Sequence, residues 1–417
     1  MKSIIRPLSE AEHIEFVNLK LKSFPIKGGF NDETVDEILK EFDTKSEKGV
    51  RKAPYGLFRN GELLGGMYLN DLSLNFHDKI ILMGGLGAVA ADLLHKKEGV
   101  AKEMVTYFLE HYEAKGAAIV SLYAFRLDFY RKMGFGFGTK TNQYRIRPSA
   151  LPRYEKDDLV YLEKDDLEIM VACYNRYAKQ NHGMVVHAEG WWLNLTKKEM
   201  LTVGVMQNGQ LKGYCTFEYV KGSENPYWFD IKVHHFIYEN KEAFSQLIGF
   251  LASQIDQAEF VIFETQDDDF HYMLDYPHNG RPFEVLLHHQ SNVQEVGICY
   301  RVINVPRVFD ILKESNFADA NLILKITVED SFYPNNQGST TVKFTDGTPN
   351  IILDNDDFED FDVEIVMDVS EFSAMIIGSV GFKKLYDYGF ADVSDKMYIL
   401  TIDKIFASQK PICISRF

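Results

Sequence analysis

Cysteine is scarce in this chain: there are four in 417 residues, Cys173, Cys215, Cys299 and Cys413, far apart and with no C-x-x-C pair. That excludes a disulfide framework or a thiolate zinc ribbon, and the four read as reduced residues of an apolar core. Basic charge is also in deficit. Lys and Arg number 45 against 61 Asp and Glu, a formal net charge of −16, which argues against nucleic acid or an anionic membrane as the principal partner. It suits a cationic small molecule or a basic peptide, although acidity that only keeps a protein soluble needs no partner. No run approaches the ~20 apolar residues of a membrane span, and the start, Met1-Lys2-Ser3-Ile4-Ile5-Arg6-Pro7, turns polar too soon for a signal region; a cytoplasmic location is expected. Metal patterns are missing too. His234-His235 and His288-His289 are adjacent pairs whose side chains point apart in a strand, and Asp267-Asp268-Asp269 and Asp354-x-Asp356-Asp357 lack the Gly and terminal Glu of a calcium loop, so no metal is expected.

What is present is enough chain for two or three domains, each with its own core, and one stretch on which chemistry can be built. Gly87 to Met104 reads as a strand end (Ala88, Val89, Ala90), a short polar turn, and a helix that continues apolar at Val100, Met104, Tyr107 and Phe108. The first N–H groups of a helix have no intrahelical partner and its dipole is positive there, so a glycine-containing strand-to-helix turn makes an anion site. Lys96 and Lys97 strengthen it, Gly99 lets a ligand approach the backbone, and Ala101 keeps the next exposed position small. An ordinary strand–helix junction carrying a solvated lysine pair is the competing reading.

The order of elements around that turn is distinctive. Ile4 to Leu8 is a short edge strand, and Ser9 with Glu12 forms a capping-box pattern opening a helix through Lys22. Gly28-Gly29-Phe30 is a loop, and Val35, Ile38, Leu39 and Phe42 mark a second amphipathic helix over 32–42. Tyr55 to Leu69 is a hairpin about Asn60-Gly61, and Lys79 to Ala90 leads into the glycine turn. Gly116 ends the helix after it, Ala117 to Tyr123 is a buried strand, and Phe129 to Phe135 is a short helix turning into a final strand. Arg145-Ile146-Arg147-Pro148-Ser149 closes this first domain. The chain then repeats itself: Val203 to Tyr214 aligns with the Tyr55 hairpin, glycine for glycine at Gly56/Gly204, Gly61/Gly209 and Gly65/Gly213. The repeat, however, has Glu239-Asn240-Lys241-Glu242 where the phosphate turn would need glycine. From about Glu295 the texture changes to strands at 322–328, 340–344 and 363–369 and a capped apolar helix from Val369. Trp191-Trp192 reads as interdomain packing.

Lys96-Lys97-Glu98-Gly99-Val100-Ala101 resembles the Arg/Gln-x-x-Gly-x-Gly/Ala motif of the GNAT N-acetyltransferases, with Lys where Arg or Gln is usual and Ala91-Asp92-Leu93-Leu94 where a Val-x-Pro-like exit is common. Phe129-Tyr130-x-x-x-Gly134-Phe135 resembles that superfamily's final motif, and the element order matches over residues 1 to about 147. The fold class expected is thus α/β and α+β: two tandem GNAT folds, the second degenerate, then an α+β domain resembling a sterol carrier, divided as 1-150, 151-294 and 295-417. That architecture resembles the enhanced-intracellular-survival (Eis) family across essentially the whole chain.

The resemblance implies an acetyl-coenzyme A-dependent N-acetyltransferase acting on primary amines of a cationic substrate, aminoglycoside-like or lysine side chains, and it implies a hexamer. It places the coenzyme on Val89, Ala90, Ala91, Lys96, Lys97, Glu98, Gly99, Val100, Ala101 and Lys102, with Phe125 and Arg126 beside them. It implies Tyr130 as general acid and the Phe417 carboxylate, brought from the third domain, as general base. The residues allow the second role: Ile412 and Ile414 alternate as in a strand with a buried face, and Phe417 supplies an aromatic anchor. The cysteines need no nucleophilic role. The alternative, from another class, is a non-catalytic coenzyme-sensing protein that regulates lipid or partner binding by its last domain. The substrate pocket is expected near Gly28-Gly29-Phe30-Asn31.

Overall fold

The structure is a computed structural model that describes residues 3–24, 35, 38–39, 52–186, 200–222, 228–279, 287–353, 360–415 and 417. The chain folds into two compact units: residues 1–138, 182–185 and 297–417 form one, and 139–181 and 186–296 the other.

The first unit opens with β1 (Ile4–Pro7) and α1 (Glu10–Ser23). Glu12 Oε2 accepts from both the backbone N–H and the hydroxyl of Ser9 at 2.8 Å, and Arg6 pairs with the same carboxylate, so the expected cap forms. Of the expected second helix only residues 35, 38 and 39 are described; they are helical, and Val35 packs on Val17 and Leu21. The loop Gly28–Asn31 lies outside the described residues, as do Trp191-Trp192 and Asp354, Asp356 and Asp357.

β2 (Lys52–Arg59) and β3 (Glu62–Phe76) meet at Asn60-Gly61, whose φ values of 52° and 84° match a type I′ turn. β4 (Lys79–Ala91), α2 (Val100–Ala114), β5 (Ile119–Tyr123), α3 (Leu127–Arg131) and β6 (Gly136–Phe137) follow. The sheet runs β1, β2, β3, β4, β5, then Ile298–Val302, then β6. A strand from far along the chain thus completes the first sheet, pairing antiparallel with β5 through Cys299↔Leu122 and Tyr300↔Ser121.

The same unit carries a five-stranded sheet in the order Thr348–Leu353, Gly338–Thr345, Leu322–Glu329, Val363–Asp368, Ala391–Val393, the strands expected from the texture after Glu295 with their edges added. Helix Val369–Ile376 follows directly, and it lies against β6: a Cβ on Gly136 would fall 2.0 Å from the Ser370 carbonyl oxygen.

The second unit is a seven-stranded sheet: Asn292–Val296, Lys140–Ile146, Ala258–Thr265, Phe229–Tyr238, Gln210–Lys221, Leu201–Gln207, Leu159–Tyr161. Helix Lys241–Ala252 packs on it through Leu247, Ile248 and Leu251. The repeat seen in the sequence is a repeat of packing. Gly65 sits under Val100 and Met104 of α2 and Gly213 under Ala243 and Leu247 of its counterpart, so in each copy the glycine lets a helix close onto the sheet at positions i and i+4. One element differs from expectation: Arg145–Arg147, set at the close of the first domain, adjoin or belong to strand Lys140–Ile146, which pairs with Ala258–Thr265 in this second sheet. Periodicity gives a strand but not its partner.

Candidate active site

The site starts from glycines inside β4. Gly84 and Gly85 are neighbours whose missing side chains point to opposite faces: a Cβ on Gly84 would enter the ring of Tyr112 on α2, and one on Gly85 would lie 2.9 Å from Cδ2 and Cε2 of Phe417. Each glycine therefore makes room for an aromatic ring, the second for the last residue of the chain. At Gly87 the same construction lies 3.5 Å from Asn70 Nδ2 and 3.9 Å from the Phe417 backbone oxygen. The chain terminus is thus laid along β4.

Parallel pairing of β4 with β5 ends at Leu86↔Leu122. Beyond it β4 pairs only with β3, and a bulge intervenes where Ala88 takes φ 48° and the register shifts between Gly66 and Tyr68. The edge of residues 87–90 that faces β5 has no backbone partner among the described residues. Val89, Ala90 and Ala91 lie here. Ser23 at the end of α1 donates to the Ala91 carbonyl at 3.1 Å.

A 3-10 turn, Leu93–His95, capped by the Asp92 carboxylate, leads to the glycine loop. Lys97 (φ 70°) and Gly99 (φ 85°) both adopt left-handed backbone, and Gly99 is the N-cap of α2. Alternating handedness of this kind turns successive N–H groups to one side, and the N–H groups of Val100, Ala101 and Lys102, which have no intrahelical partner, continue the concavity. The lysines at 96, 97 and 102 are exposed, while Val100 anchors the helix in the core. Arg59, at the end of the β2–β3 hairpin, braces the loop: its guanidinium donates to the Glu98 carbonyl at 3.1 Å and to Glu103 at 2.6 Å, and Glu98 also meets His95 Nδ1 at 3.0 Å. Sequence reasoning misses Arg59, since no local pattern marks it.

Phe125 is exposed, edge-on to Phe24 at 5.7 Å and to Tyr130 at 6.5 Å. Arg126 is held by Asp128. Tyr130, on α3, is buried in the core that contains Leu86, Leu122 and the α2 side chains. Burial pushes its pKa above the usual phenol range, so its hydroxyl carries its proton at neutral pH. Phe417 lies on the other face of the sheet, with Gly85. Acid and carboxylate candidates thus flank the strand gap from opposite faces.

Beneath Phe417 runs a polar row. Asn70, Gly85, Ser121 and Tyr300 are consecutive cross-strand neighbours. Asn70 Oδ1 and Ser121 Oγ are buried without a hydrogen-bond partner among the described residues, and the Tyr300 hydroxyl is buried beside the Cys413 thiol. The signal that could have found this place in the sequence is Gly84-Gly85-Leu86-Gly87: glycines inside a strand mark the close approach of another chain segment.

In the second unit the matching helix start is closed. The Asn240 side chain accepts from the Ala243 N–H at 2.8 Å, and the buried Glu239 carboxylate is held by Arg176 at 2.8 Å and Lys212 at 3.3 Å. A capped N-terminus beside a carboxylate does not attract an anion. His234 is paired with Glu218 at 2.8 Å. All four cysteines are buried and none forms a disulfide, and no cluster of three metal-ligating side chains occurs among the described residues.

Comparison with known families gives the class. Residues 4–138 and residues 183–302 each match an acetyltransferase (GNAT) domain, and 308–414 match a sterol carrier protein domain. The chain is a GNAT-superfamily acetyltransferase built from two GNAT domains and a sterol carrier domain. In fold the chain is similar to a GCN5-related N-acetyltransferase from Anabaena variabilis (TM-score 0.78, 15% identity), to a probable N-acyltransferase from Enterococcus faecalis (0.75, 17%) and to Eis1 from Mycobacterium abscessus (0.76, 18%), each pair aligned over 100% of both chains. At this identity the likeness is one of fold. No curated protein matches the sequence. No described helix is long and apolar enough to cross a membrane.

Proposed function

We propose that the chain transfers the acetyl group of acetyl-coenzyme A to a primary amine of a cationic substrate, with the Phe417 carboxylate as general base and Tyr130 as general acid. The observation that carries the reading is the seat of Phe417 on Gly85 and Gly87, where β4 and β5 part. Chain ends are poorly ordered unless something ties them down, and the Phe417 ring is seated on the face of β4.

The residues fit the coenzyme. The unpaired edge of 87–90 suits an extended amide-bearing chain, which it would bind as an added strand, and the loop of Lys97, Gly99 and the α2 N-terminus suits a pyrophosphate. When bound, the coenzyme supplies the activated thioester. The chain's own groups do the rest: Tyr130 holds a proton on its hydroxyl for the leaving sulfur, and the Phe417 carboxylate takes one from the incoming ammonium. A terminal carboxylate has an unperturbed pKa of about 3.3–3.7 and is a weak base for an amine. Proton removal therefore relies on desolvation of the amine, or on a water molecule that passes the proton from the amine to the carboxylate. In this reading the second GNAT copy serves architecture, its helix start being capped, and the assembly is the hexamer of the Eis-like proteins, in the cytoplasm.

The test is acetyl-coenzyme A turnover against polyamines, aminoglycosides and basic peptides by the native chain, Tyr130→Phe, and a chain with one residue appended after Phe417. Amine-dependent thiol release, lowered at least ~100-fold by each change, is expected. Coenzyme binding without transfer to any amine would instead favour a coenzyme-sensing binding protein.

A further inference from the structure

The last residues of the chain form no ladder with β4, so contacts of side chains must fix where the terminal carboxylate stands. Two clamps hold them. The first is at 411–412: the Ile412 N–H donates to the His182 carbonyl at 2.8 Å, and Pro411 fills the space over Gly183, where a Cβ would come within 2.5 Å. That clamp is five residues from the end and does not itself reach Phe417. The second is Tyr123. It follows Leu122, the last β5 residue paired with β4, and strand alternation puts its side chain on the Ser121 face, the face of Phe417. Its hydroxyl donates to the Ser415 carbonyl at 2.7 Å, and its ring lies 5.5 Å from the Phe417 ring.

We infer that Tyr123 is a positioning residue that aims the terminal carboxylate: its hydroxyl fixes the backbone two residues before the end and its ring fixes the side chain of the last residue. This rests on the reading of Phe417 as base. Tyr123 is 36% exposed at a strand end, a place where a tyrosine contributes little to a core, while these two contacts converge on the terminus. Reaction rates fall steeply when a reacting group shifts by about 1 Å, and the hydroxyl is what prevents such a shift.

The test is Tyr123→Phe, which keeps the ring and deletes the hydroxyl, made both in the native chain and in the chain with a residue appended after Phe417. In the native chain kcat is expected to fall about 10- to 100-fold, while acetyl-coenzyme A affinity by calorimetry and the thermal midpoint stay unchanged, which shows that the fold is kept. In the extended chain, whose carboxylate is already displaced, the substitution is expected to cost nothing further. Native turnover in Tyr123→Phe, or an equal loss in both backgrounds, overturns the assignment while leaving Phe417 as base. Unchanged turnover on extension alone overturns the base itself, and the positioning role with it.

Discussion

Single residues at this site are chosen for what they leave out. Gly85 has no side chain because the Phe417 ring occupies the place, and Leu72 crowds it from the same side, 2.6 Å from where a Cβ would stand. Gly85→Val is therefore expected to abolish most turnover by expelling the terminal ring, with acetyl-coenzyme A still bound, since the strand edge proposed for the coenzyme begins at residue 87. Titration calorimetry alongside a thiol-release assay separates the two effects. Gly99 is different in kind. Its φ of 85° is costly for a β-branched residue whatever the space, so Gly99→Val should lower coenzyme affinity about 10-fold or more, the cost of ~1–2 kcal/mol of backbone strain. Gly134 combines both reasons: φ is 79°, and a Cβ would overlap the Arg301 guanidinium.

At the scale of elements, two helix starts with the same packing on their sheets have opposite chemistry. The Gly99 end has no side-chain cap and lies among exposed lysines in the sequence; the Asn240 end is closed by its own side chain. Asn240→Ala is expected to destabilise the second unit by about 1 kcal/mol, read in its denaturant midpoint, without changing coenzyme affinity. The strip at 182–185 has its own sensitivity. His182 stacks on His77 at 4.2 Å, its Nδ1 accepts from the His77 N–H, and the two Nε2 atoms meet the carbonyls of Ile377 and Ile376. Burial, and the neighbouring ring, lower the pKa of His182 to about 4, and burial lowers that of His77. An unfolded His binds its proton near pH 6.5, earlier than these do, so stability is held above that pH and lost as pH falls from about 6.5 toward 4. Because the His182 carbonyl holds Ile412, the protection factors of the amides of residues 412–415, taken relative to their intrinsic exchange rates, should fall over that interval, and His182→Gln should flatten the dependence.

For the whole first unit, one tie between the GNAT sheet and the sterol carrier domain is a buried ion pair. Arg301, on the strand that completes the first sheet, donates to both oxygens of Asp330 at 2.9 and 2.7 Å with both side chains fully buried, and Asp330 also accepts from the Tyr333 N–H and Asn336. Breaking it from one side leaves a charge without compensation. Asp330→Asn is expected to cost about 3–5 kcal/mol, visible as a lowered thermal midpoint, and to reduce turnover indirectly by loosening the domain that delivers the terminus. Arg131 with Glu371, and Gly136 beneath Ser370, join the same two parts.

What the sequence by itself determined was local. The Asn-Gly hairpins, the Ser9–Glu12 cap, the glycine loop before α2, the repeat of glycines and the α+β texture of the end are all short-range patterns, set by φ preferences and by periods of 2 and 3.6. They were sufficient for the kinds of domain present and for the backbone form of the glycine loop before α2. Only tertiary structure decided which strand completes which sheet, that Arg59 braces the loop, and that Asn70, Ser121, Tyr123 and Phe417 meet across β4. Those facts are pairings between segments up to hundreds of residues apart. Nothing in the local chain encodes a partner; it is chosen by burial and register once the sheets form.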